Sequence, residues 1–219
     1  MIELFKHILH LDFEWLFANY GTAIYVVLFL VIFIETGVVA MPFLPGDSLL
    51  FTAGLFCVPQ PGMTEAPLSL PMLIGLLFVA AVLGDNSNYW IGRKIGLKVF
   101  TLTIKGKPIV KREYLDKTHE FFEKHGTKAI IMARFVPFVR TFAPFAAGVG
   151  EMSYRRFFSF DVLGGGLWIC SLSIAGYLLG GVDFIRKHID LVCLGIILIS
   201  VLPIIFSAVK SKMHNKGAA

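Results

Sequence analysis

The sequence predicts an all-α polytopic membrane protein, with four transmembrane helices and two opposed re-entrant helical hairpins forming an inverted repeat. Three observations carry that prediction. The 219 residues are 56% apolar and only 16% charged, with a mean hydropathy of +0.75, whereas soluble domains run about 45–50% apolar and about 25% charged. Several stretches reach the ~20 apolar residues that a helix needs to cross hydrocarbon. Two more are apolar enough for membrane depth but are broken by Pro and Gly. This composition excludes an ordinary soluble enzyme, a disordered chain and a disulfide-stapled secreted module. Cys57, Cys170 and Cys193 lie in apolar stretches without CxxC spacing and read as small buried hydrophobes.

In chain order, residues 1–20 place Ile2, Phe5, Leu9, Phe13 and Leu16 at three- and four-residue steps, the pattern of an amphipathic helix on the membrane surface. Asp12 and Glu14 argue against a cleavable signal, as does the lack of a small-residue cleavage site. The membrane domain is expected over residues 21–209. Its first span, residues 22–41, is apolar except for Glu35. Residues 42–58 contain Pro42, Pro45, Gly46 and Gly54, which prevent one straight spanning helix. Residues 72–92 form the second span, apolar to Gly84 and then polar at Asp85, Asn86 and Asn88. Residues 129–150 are broken again, by Pro137, Pro144, Gly148 and Gly150. Residues 162–182 and 191–209 carry no charge between residues 162 and 182 or between 191 and 209, and Pro203 should kink the last span. Irregular backbone at membrane depth is tolerated only inside protein or against a cavity, so both broken stretches are expected to be re-entrant.

Charge orients the chain. Residues 93–128 hold ten of the twenty Lys and Arg, the tail 210–219 adds three, and residues 59–71 hold none. The loop 93–128, the basic tail and both termini are therefore expected on the cytoplasmic side. Residues 114–124 should make a short amphipathic surface helix, and the basic loop should touch anionic headgroups. Four spans fit only if each broken segment returns to the face it entered from. Two such segments entering from opposite faces make the inverted arrangement in which many transporters build a midplane site.

Six ionisable residues fall in or beside the apolar segments: Glu35, Asp47, Asp85, Arg134, Arg140 and Asp161. Each costs ~2.5–3.5 kcal/mol at a helix centre unless compensated. Glu35 and Asp47 could neutralise Arg134 and Arg140 where the hairpins meet. They would then either hold the halves together as buried ion pairs or line a polar cavity. In a cavity the two Arg offer planar donor forks for a phosphate, and an acid carries a proton. Asp85, Asn88 and Tyr89, at helical spacing, either line the same cavity or hydrogen-bond between helices. Asp161 is expected near the interface, beside Arg155 and Arg156.

Two motifs fall short of chemistry. Gly46-Asp47-Ser48-Leu49 opens like a lipase motif, but no His lies in a transmembrane segment, and a helix start capped by Asp47 or Ser48 is expected instead. His119 and His125 are six residues apart, where a zinc-binding helix needs four. No catalytic residue, metal or cofactor is expected, and no nucleic-acid partner. Gly92 with Gly96, and Gly176 with Gly180, suit close helix packing and leave a homo-oligomer open.

Several separated motifs, in order, carry a resemblance. They are Glu35-Thr-Gly, then Pro42-Phe-Leu-Pro-Gly-Asp-Ser-Leu-Leu-Phe, then Gly84-Asp85, Asn88-Tyr89 and Gly92-Arg93, and finally KHGTKAIIMARFVPFVRTFAPFAAGVGEMSYRRF from Lys124 to Phe157. Over about residues 22–209 the chain resembles the DedA family of bacterial inner-membrane proteins, which share the VTT or SNARE-associated Golgi domain with eukaryotic lipid scramblases. The resemblance implies movement of lipids between leaflets, including undecaprenyl phosphate, and proton-dependent membrane homeostasis. The expected partners are phospholipid or polyprenyl phosphate, and protons. The family's two acidic and two Arg positions match Glu35, Asp47, Arg134 and Arg140. Coupled transport of a small solute, or a non-transporting homeostasis role, are the alternatives.

Overall fold

Two long apolar helices form the centre of the protein, and three shorter ones pack on them. The computed structural model describes residues 21–37, 46–59, 63–99, 103–104, 107–108, 131, 134, 137–182, 185 and 195. A 3-10 turn, Gly21–Ala23, leads into α1, Ile24–Gly37. Then follow α2, Gly46–Leu55; α3, Leu70–Val99; α4, Pro137–Val149; and α5, Tyr154–Leu179. Between α3 and α4 a two-residue antiparallel ladder pairs β1, Thr103–Ile104, with β2, Lys107–Pro108. The surface helices expected at 1–20 and 114–124, the span 191–209 apart from residue 195, the tail, Cys193, Pro42 and Pro45 lie outside the described residues.

Two helices, over Leu70–Lys94 and Tyr154–Leu179, are long and apolar enough to cross a membrane. Both outrun the predicted spans. α5 starts eight residues earlier than expected because Arg155 and Arg156 are exposed on its first turn while Phe157 and Asp161 turn inward. Long basic side chains at a helix end can reach water while the helix continues into hydrocarbon. The described part of the first span, with its 3-10 turn, covers Gly21–Gly37.

The broken segments also differ from expectation. Within them, residues 46–55 and 137–149 are regular helix. Gly46 opens α2 and Pro137 opens α4, whereas Pro144 and Gly148 lie inside α4 and do not break it. Pro144 has no N–H for the Arg140 carbonyl four residues back, yet within a packed bundle neighbouring groups can satisfy the freed backbone. In the same turn, one residue along, Asn88 Nδ2 of α3 donates to the Thr141 carbonyl at 2.7 Å and to Thr36 O, near the end of α1, at 3.2 Å. α4 ends with Met152 N–H on Ala147 O and Glu151 N–H on Gly148 O, a Schellman closure with Glu151 at φ 54°.

Small and polar residues join large apolar ones on the inward faces, and further large apolar side chains face outward. On α5 the stripe Phe157, Asp161, Gly164, Gly165, Trp168, Ile169, Ser173 and Gly176 is buried, while Leu163, Leu167, Ile174 and Leu178 are exposed. Apolar side chains outside suit lipid, and the small residues within the stripe allow close backbone contact inside. α1 and α4 both pack on α3, and α2 packs on α5. In α2 every residue except Asp47 is buried, as expected of a short helix enclosed by protein. Glycines set the contacts. A Cβ on Gly84 would stand 2.0 Å from Thr36 Oγ1, one on Gly148 2.1 Å from Tyr89 O, and one on Gly176 2.0 Å from Phe51 O. Gly148, expected to break a hairpin, is a packing glycine.

Gly176→Ala should therefore push α2 off α5 and lower stability by ~1–3 kcal/mol, the usual cost of overpacking. Gly75→Ala, where a Cβ meets nothing within 4 Å, should not destabilise. Thermal unfolding of the two purified variants in one detergent checks the contrast.

Candidate functional site

Five of the six predicted intramembrane charges are buried among the helices, and the sixth, Asp47, is half-buried. They divide into two groups, each a guanidinium between two carboxylates. Arg140, on the first turn of α4, gives Nη1 to Asp47 Oδ1 on α2 and Nη2 to Glu35 Oε1 on α1. Arg134, just before α4, gives Nη2 to Asp161 Oδ1 on α5 and meets Asp85 Oδ2 on α3 with the same nitrogen. Arg134 is 2% exposed, Asp85 1% and Asp161 0%.

This pairing corrects the expected one. Glu35 and Asp47 do not share themselves between the two Arg; both serve Arg140. Asp161, expected beside Arg155 and Arg156, is fully buried and holds Arg134; sequence reasoning counted it among the six charges but left it out of the site because those two Arg made its surroundings look polar. A signal was available: Asp161 shares the inward α5 stripe with Gly164, Gly165 and Trp168.

Trp168 was missed too. Its indole Nε1 donates to Asp47 Oδ1 at 2.8 Å, and the Arg140 guanidinium lies 4.7 Å from its ring centroid. One side chain thus fixes the acid by a hydrogen bond and the cation by its π face. Asp161 and Trp168 are seven residues apart on one helix, so the two charged groups sit ~10 Å apart along α5.

The weaker candidates resolve as bridges between helices. Asn88 ties α1 to α4 across α3. Tyr89 donates its hydroxyl to Met152 O at 2.5 Å, accepts from Arg93 Nη1 at 3.1 Å and stacks on Phe157 with ring centroids 4.5 Å apart. Asp85 alone of the three joins a charged group. Ser48 is buried, and its hydroxyl makes no hydrogen bond among the described residues, so it neither caps α2 nor resembles an activated nucleophile.

Glycine makes room for the charges. A Cβ on Gly46 would stand 1.8 Å from Glu35 Oε2, and that carboxylate cannot retreat without leaving Arg140. A Cβ on Gly165 would meet the Arg134 guanidinium no closer than 3.6 Å, an ordinary contact. Gly46→Ala should break the Arg140 group and destabilise the protein by more than ~2 kcal/mol, the scale for breaking a buried charge network. Gly165→Ala should be nearly neutral. The melting temperature of the purified protein should fall in the first variant and hold in the second.

The comparisons with known proteins agree with this architecture. Residues 44–178, which include all of the charged groups except Glu35, match the VTT domain. The chain is 46% identical over 218 residues to Protein DedA of Escherichia coli strain K12, covering 99% of this chain and 95% of that one. It is 42% identical over 207 residues to an uncharacterized membrane protein of Mycobacterium tuberculosis, covering 93% and 88%. It is 33% identical over 202 residues to Inner membrane protein YqjA of E. coli K12, covering 89% and 88%. No solved structure matches. A VTT domain over most of the chain, and near-full-length identity to DedA, establish that this is a membrane protein of the DedA family.

Proposed function

We propose that the protein moves a phosphorylated lipid, phospholipid or undecaprenyl phosphate, between the leaflets of the bacterial inner membrane, linked to protons and without chemical conversion of the lipid. The observation that carries this reading is two guanidiniums buried between membrane helices at depths ~10 Å apart along α5. A headgroup crossing hydrocarbon needs polar contacts at successive depths, while its tails can stay in the bilayer. A phosphate accepts the same paired donors as a carboxylate, so it can exchange with an acid on Arg134 or Arg140. Protonation of Glu35 or Asp47 would loosen that acid from Arg140 and free donors for the phosphate. Arg140 Nε already makes no hydrogen bond among the described residues.

The finer architecture belongs to the same proposal: four spans, two opposed re-entrant hairpins and cytoplasmic termini. It is supported by α2, ten residues long and enclosed, at ~15 Å only half a hydrocarbon core. The orientation is supported by Arg93, Lys94, Arg155 and Arg156, which share one end with the contacting aromatics Trp90, Tyr154 and Phe158. A non-transporting role has one observation in its favour, that both Arg are already met by carboxylates.

Purified protein in vesicles separates the readings. Labelled anionic phospholipid and labelled polyprenyl phosphate should each be tested for leaflet exchange, with proton flux followed by a dye. Lipid exchange that slows at least tenfold in Arg134→Lys and Arg140→Lys supports the proposal, because Lys cannot form the planar fork. Full activity in both Lys variants rules out the phosphate role. Proton flux without lipid exchange favours solute transport, and no signal favours the structural role.

A further inference from the structure

We infer that Asp85 and Asp161 form, around Arg134, a second proton-binding site in which the two carboxylates hold one proton between them. The inference does not depend on the cargo and stands whether or not a lipid is carried. It begins with a count of charges. Arg134 brings one positive charge and its two acids bring two negative ones, all at most 2% exposed. With both acids ionised the site would keep a full negative charge inside the membrane, which is expensive unless it is compensated.

The other cations among the described residues are engaged elsewhere or turned to solvent. From α4, Arg140 is already committed to Glu35 of α1 and Asp47 of α2. Arg93, on α3, is turned to the Tyr89 hydroxyl and Met152 O. Arg155 and Arg156, on α5, are exposed on its first turn. A metal ion would want a shell of oxygens, and no cluster of three acidic, His or Cys side chains is arranged to supply one among the described residues.

Hydrogen bonding points the same way. Asp85 Oδ1 and Asp161 Oδ2 are buried and make no hydrogen bond among the described residues. Two ionised carboxylates are acceptors only and cannot satisfy one another. One proton turns one of them into a donor, removes the excess charge and leaves a single carboxylate opposite a single guanidinium. Sharing one proton between two close carboxylates is the ordinary solution to this geometry. The Glu35–Asp47–Arg140 group has the same two-to-one arithmetic. The protein thus holds two proton-binding stations stacked along α5.

Infrared spectroscopy of the purified protein in lipid nanodiscs at neutral pH tests this through the carbonyl stretch of protonated carboxyl groups. Glu35→Gln, which removes the proton of the Arg140 group, should keep one such band. Adding Asp85→Asn or Asp161→Asn should abolish it in each case, because the remaining acid then faces Arg134 alone and ionises. Both amides mimic a neutral acid, so melting temperatures should stay near that of Glu35→Gln. Asp161→Glu, which keeps both acids, should shift the band and retain it, and it decides the matter if either amide variant fails to fold. A band that survives either Asn substitution, or that Asp161→Glu leaves unmoved, overturns the shared proton. So does a missing band together with stabilisation by added sodium.

Discussion

A guanidinium gripped by two carboxylates from different helices, inside hydrocarbon, is the interaction on which the rest of this protein depends. Arg140 gathers α1 and α2 to α4, and Arg134 gathers α3 and α5 to the segment before α4. Apolar side chains cannot supply that specificity in lipid, because exchanging a lipid contact for a protein contact gains little. A buried charge without its partner is strongly destabilising, so each pairing fixes which helices must meet. The same charges are the polar groups available to a headgroup or a proton. Under the proposed function, stability and transport would therefore draw on the same side chains.

The backbone accommodates these charges by giving up side chains around them. Gly46 lies against Glu35, Gly164 and Gly165 lie against Arg134, and Gly84 precedes Asp85 where α1 crosses α3. Pro144 leaves the α4 ladder incomplete, and Asn88 reaches into the same turn. The Arg140 group meets the main apolar cluster, which includes Ile24, Leu28, Leu73 and Leu77, through Trp168.

Much of this was legible in the sequence. The long apolar runs located α3 and α5, and the cost of intramembrane charge singled out all six ionisable residues that the fold brings together. The partition between the two Arg was not legible, because it depends on helix rotation, which a hydrophobic run without strong periodicity does not reveal. Asp161 was left out of the site for a local reason: two neighbouring Arg suggest polar surroundings, whereas they are exposed on the first turn of α5 and Asp161 turns inward. Pro144 and Gly148 were misread because propensity rules from water overstate what Pro and Gly do inside a packed membrane bundle. Trp168 was one aromatic among many until its position seven residues after Asp161 was placed on a helix.

The central claim is the partition itself, that each Arg belongs to its own pair of acids. Double-mutant cycles on thermal stability, pairing Arg134 and Arg140 in turn with Glu35, Asp47, Asp85 and Asp161, measure it directly. The predicted result is coupling of ~0.5–3 kcal/mol for Arg140 with Glu35 and Asp47 and for Arg134 with Asp85 and Asp161, with cross pairs near zero. Coupling of Arg134 to Glu35 or Asp47 as strong as to its own acids would contradict the account.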